Sequence, residues 1–179
     1  MSQIKVNSIV PAAGLSGGAS GGIVQTVFAT KTATFSEAIS SGGYTADVFT
    51  ASITPQSTSN KILITGGMNV GANMNDGGTG LILVRNSTII DDYRGPSDGS
   101  RGRVGSVGGT IHSTVEMTIP INFLDSPSTT SAITYRVRLS AFFGGGGTTD
   151  VYLNRASDNS DETYNPRSVS TMTLMEVSG

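Results

Sequence analysis

Between Ala132 and Phe143 the chain reads AITYRVRLSAFF, and the alternation within it limits the fold more than any other stretch. Ile133, Tyr135, Val137, Leu139, Ala141 and Phe143 share one side, while Thr134, Arg136, Arg138 and Ser140 share the other. A two-residue period is that of a half-buried β-strand; an amphipathic helix repeats about every 3.6 residues. At about 1.5 to 3 kcal/mol per large side chain, burying that side is worth roughly 10 kcal/mol as an upper bound. Such a strand needs a second sheet to cover it, which predicts a β-sandwich.

Other stretches repeat the pattern. DVFTASITP alternates Phe49, Ala51 and Ile53 and stops at Pro55. KILITGGMNVG puts Ile62, Ile64, Met68 and Val70 on one side, with Gly66 and Gly67 where a bulge or a close backbone approach would sit. TGLILVRN reads as a fully buried strand, with Ser87 to Ile90 continuing it after a kink. TVEMTIPINFLD carries Pro120 on its outward side, which predicts an edge strand or a bulge. GIVQTVFATKTATF is a β-rich run to about Phe35, DVYLNR a short strand, and SVSTMTLMEV a last strand apolar on both sides. With no helical periodicity anywhere, the expected fold is all-β: a jelly-roll-like antiparallel β-sandwich head over residues 23–179, preceded by an extended arm over residues 1–22. A final strand covered on both sides suits a subunit interface, and a symmetric homotrimer is the expected assembly.

Composition agrees and excludes several classes. A chain of 179 residues can hold one well-buried domain and a modest extension. Charged residues make up 13%, against about 25% in an average soluble domain, and Gly, Ser and Thr take their place. A formal charge of −2 gives no broad attraction to phosphate, so nucleic-acid binding is not expected. Without cysteine there is neither a disulfide framework nor a thiolate metal site. No apolar run approaches the roughly 20 residues of a membrane span, and no secretory leader is legible, so assembly in a cytoplasm without membrane insertion is expected.

The arm joins an apolar segment, IKVNSIV, to the small-residue tract PAAGLSGGASGG. A tract like this becomes ordered only where something holds it, which makes the arm a docking segment. Two matches to G-x-S-x-G, around Ser16 and Ser20, lie in this low-complexity tract and carry no catalytic weight. His112, the one histidine, reads as a surface residue. The acids Asp91 and Asp92, and Asp158, Asp161 and Glu162, lack an EF-hand spacing and read as solvated loop acids. No metal, cofactor or catalytic group is therefore expected, and the chain reads as a non-enzyme. The longest irregular stretch, Asp91 to Gly109, interleaves Tyr93 with Arg94, Arg101 and Arg103. Guanidinium forks suit anionic glycans, phosphates and carboxylates, so these four residues form a candidate surface-recognition loop.

The phrases IKVNSIVPAAGLSGGASGGIVQTV, ITPQSTSNKILI, NFLDSPSTTSAITYRV and STMTLMEVSG, spread over nearly the whole chain, resemble small structural proteins of tailed bacteriophages, especially those of marine and cyanobacterial phages. The resemblance implies a tail-fibre-type virion appendage whose arm attaches to other virion proteins and whose trimeric head faces the host surface, where a glycan is a candidate partner. An anchoring role passes on this basis to Ile4, Val6, Ile9 and Val10. A capsid decoration protein and a carbohydrate-binding module are the alternatives.

Overall fold

The computed structural model describes residues 22–72, 77–109, 114–144 and 146–179. The predicted arm, with Ile4, Val6, Ile9 and Val10, and also His112, lie outside the described residues. Eleven strand segments follow in order: β1 (Ile23–Lys31), β2 (Phe35–Ser40), β3 (Phe49–Ile53), β4 (Lys61–Ala72), β5 (Gly77–Arg85), β6 (Thr88–Ile89), β7 (Ser106–Gly108), β8 (Met117–Asp125), β9 (Ile133–Phe143), β10 (Thr148–Leu153) and β11 (Ser170–Val177). One 3-10 turn, Asp91–Tyr93, is the sole helical element among the described residues.

Register reduces these segments to eight ribbons. On β4, β8 lies along one edge from Ile62 to Val70, so β11 (Lys61 to Gly67) and β10 (Val70 to Ala72) must share the other edge. They are two halves of one ribbon. Beyond it, β1 pairs with β11 and β2 with β10, again end to end. In the second sheet β9 lies between β3 and β5, and β6 and β7 share the free edge of β5. Counting ribbons along the chain, the sheets run 1-8-3-6 and 2-7-4-5. That order is a jelly roll, two interlocked Greek keys packed as a sandwich.

The core lies between the sheets, where Tyr135, Val137, Leu139 and Ala141 of β9 are fully buried against Ile62, Ile64, Met68, Met172 and Leu174 from β4 and β11. The alternation read from residues 132–143 is thus the observed one. Phe49, Ala51 and Ile53 are buried as expected, and Pro120 sits exposed on β8, which pairs with β4 alone. Gly66 marks a close approach and no bulge: register runs unbroken through it, and a Cβ there would lie 2.2 Å from the Thr171 carbonyl oxygen.

Two expectations are corrected. The run from Ile23 to Phe35 does not continue through Phe35 as one strand, because residues 32–34 interrupt the ladder between β1 and β2. Ser87 to Ile90 does not prolong β5: Asn86 takes φ 56°, the chain reverses, and β6 returns antiparallel, pairing Ile89 with Val84. An asparagine tolerates that left-handed conformation better than most residues, and this drives the turn.

Candidate functional site

The interruption of β1–β2 faces the interruption of β10–β11, and Asn154 joins them. Its Nδ2 donates to the carbonyls of Lys31 (2.7 Å) and Ala33 (3.1 Å), and its Oδ1 accepts from the Ser170 hydroxyl at 2.6 Å. Asn69 bridges the gap on the β4 side: its carbonyl accepts from the Asn154 amide and its amide donates to Ser170 Oγ. Residues 155–169 therefore leave the sheet as a detour and return to nearly the point of departure, with residues 159–164 exposed at the tip.

The loop carrying Tyr93, Arg94, Arg101 and Arg103 lies against the other sheet. Tyr93 is its anchor: only 7% exposed, its ring meets Phe123 edge-on at 5.4 Å, and burial pushes its phenol pKa up. Gly105 is required here, since a Cβ would fall 2.0 Å from that ring. Arg94 and Arg103 both donate to Asp91, the second at 3.0 Å, and Arg103 Nε also donates to the Gly95 carbonyl at 2.7 Å. These guanidinium groups hold the Asp91 carboxyl below its ordinary pKa, Arg103 contributing most. Arg101 pairs with Asp98 at the exposed tip. Three of the four candidate residues thus form one braced unit around Asp91 and Tyr93, with Arg101 standing apart as the outermost cation.

Charges that the sequence did not single out are paired in the same way. Asp47 accepts from Arg136 Nη1 and Arg138 Nε, both at 2.7 Å, on the outward face of β9. Burial raises the Asp47 pKa, but the two arginines outweigh it and leave the carboxyl low. Arg138 also lies over the Tyr44 ring, 5.4 Å from its centre. Asp125, 5% exposed, takes both oxygens to Arg85 Nη1 at 2.9 Å and accepts the Tyr135 hydroxyl at 2.6 Å. Glu176 is fully buried without a cation: Gln25 (2.5 Å), Asn60 (2.6 Å) and the Gln56 amide (2.7 Å) saturate it. Nothing in the sequence marks these partners, which lie 40 to 151 residues apart for Arg85–Asp125 and Gln25–Glu176.

Of the acids read as loop residues, Asp158 accepts the Ser160 amide at 2.9 Å, and Asp91 is held as above. Among the described residues no group of three or more His, Cys, Asp or Glu is placed to hold a metal ion. No helix among them is long and apolar enough to cross a membrane.

No protein-family model matches the chain, and no curated protein matches it in sequence. Among solved structures it is similar to that of the infectious bursal disease virus Gx strain, with 11% identity, a TM-score of 0.47, and coverage of 98% of this chain and 42% of that one. For T=1 particles derived from the same virus the figures are 14%, 0.46, 97% and 42%, and for the Gt strain 11%, 0.45, 97% and 44%. The chain spans less than half the length of the chains it matches. Likeness at this level carries no function with it.

Proposed function

We propose that this chain is a non-enzymatic structural protein of a virus particle, a tail-fibre-type appendage. In this reading Ile4, Val6, Ile9 and Val10 dock the arm on other virion proteins, the head is a homotrimer, and the braced loop with Arg101 at its tip faces the host surface. The observation that carries the reading is how the head's charges are disposed. The two carboxylates that sit substantially buried in ion pairs, Asp47 and Asp125, are each closed on arginines of the same chain. Acid–base catalysis needs a titratable group free to exchange a proton with a substrate; partly buried carboxylates held by arginines brace a building block instead. A jelly roll suits that role, since viral capsid domains share this architecture with lectins. The phage-like phrases running through arm and head support the same assignment.

Deleting residues 1–20 tests it. The truncated head is expected to keep the circular dichroism spectrum of the full chain and to be missing from purified particles; normal incorporation overturns the docking role. Cryo-electron microscopy of particles carrying the full chain separates a tail position from a decoration on the shell.

A further inference from the structure

The two outward faces of the sandwich differ sharply in charge. Over β9 the outer surface carries Arg136 and Arg138 joined by Asp47. Over the β1–β11–β4–β8 half of the other sheet it is nearly free of charge. Register there aligns Thr26, Met175, Leu63 and Leu124 in one row across four strands, all on the side away from the core. Phe28, 64% exposed, and Val24 flank the β1 end, while Leu124, 47% exposed, and the exposed Pro120 form the β8 end. Most other outward positions are Thr, Asn or Gly, and Lys61 at one corner is the only charge.

We infer that this face is where two copies of the chain meet, the β1 end of one row seating against the β8 end of the other. Resting on the building-block reading above, this names the contact surface within it. Two arguments select a second copy as the occupant. Interface cores are depleted of charge, and an uncharged face finds an uncharged counterpart on another copy. Four strands about 4.8 Å apart and about eight residues long present roughly 500 Å². Two such surfaces bury about 1,000 Å², the lower bound for a specific interface. The row has unlike ends, so rows running antiparallel about a two-fold axis set the β1 end of each copy against the β8 end of the other, face on face.

Sedimentation equilibrium on the full chain tests the assignment. The wild type is expected as a closed oligomer, and Phe28→Lys or Leu124→Glu to raise its dissociation constant about 100-fold, because each buries an unpaired charge. Combining the two places opposite charges across each contact, and the double variant is expected to regain the oligomer. Tyr164→Lys, at an exposed position on the detour, is expected to leave the mass unchanged. Circular dichroism establishes that each variant is folded. A monomeric wild type, or an oligomer indifferent to both single substitutions, overturns the inference; a monomer still incorporated into particles overturns it while sparing the virion reading. An oligomer excluded from particles does the reverse.

Discussion

Glu176 shows what a single residue contributes to this head. Burial alone pushes its pKa up, but Asn60, Gln25 and the backbone of Gln56 and Ser57 more than compensate and leave it below the ordinary glutamate value. A group whose folded pKa is depressed adds stability that is complete above its unfolded pKa and disappears as the pH falls through the folded value. Glu176→Gln keeps the shape, loses the charge and turns a donor toward donors. It is expected to cost about 2 kcal/mol near neutrality. Urea midpoints at about pH 7 and about pH 4 check this: the gap between wild type and variant should narrow in acid. At this scale the sequence told little. Its alternation assigns Glu176 to the side of Met172 and Leu174, but that a carboxylate can live there depends on Gln25 and Asn60, which are remote in the chain. Arg94 and Arg103 were legible as a group through their spacing; Asp47, the partner of Arg136 and Arg138, was not.

Strands with one buried face announced themselves, because a two-residue period survives whatever lies beside them; β3, β4 and β9 are of this kind. The interruptions in β1–β2 and β10–β11 left no such trace, since they exist only in relation to each other and to Asn154. That residue takes φ 58°, where few side chains are at ease, and closes three hydrogen bonds. Asn154→Ala would leave the carbonyls of Lys31 and Ala33 short of donors and force a Cβ-bearing residue into the left-handed region without compensation. A loss of about 3 kcal/mol is expected, read as a lower urea midpoint with an unchanged slope. The reversal into β6 rests on Asn86 in the left-handed region, which asparagine tolerates, whereas the apolar pair Ile89–Ile90 alone reads equally well as a continuation of β5.

For the molecule as a whole, the all-β sandwich was legible from alternation and composition, while the ribbon order was not. Neighbours in a jelly roll are set by long-range pairing, as between Ile23 and Val177. The same topology has a practical side in the detour between β10 and β11. Its two roots are stitched together by Asn69, Asn154 and Ser170, so the ladder closes whether the intervening chain is long or short. Lengthening a loop whose ends are already fixed adds only about 0.6 kcal/mol per doubling. A foreign epitope spliced between Asn159 and Ser160 should therefore be presented to antibody with the melting temperature of the head barely altered, making this point a natural port for engineered cargo.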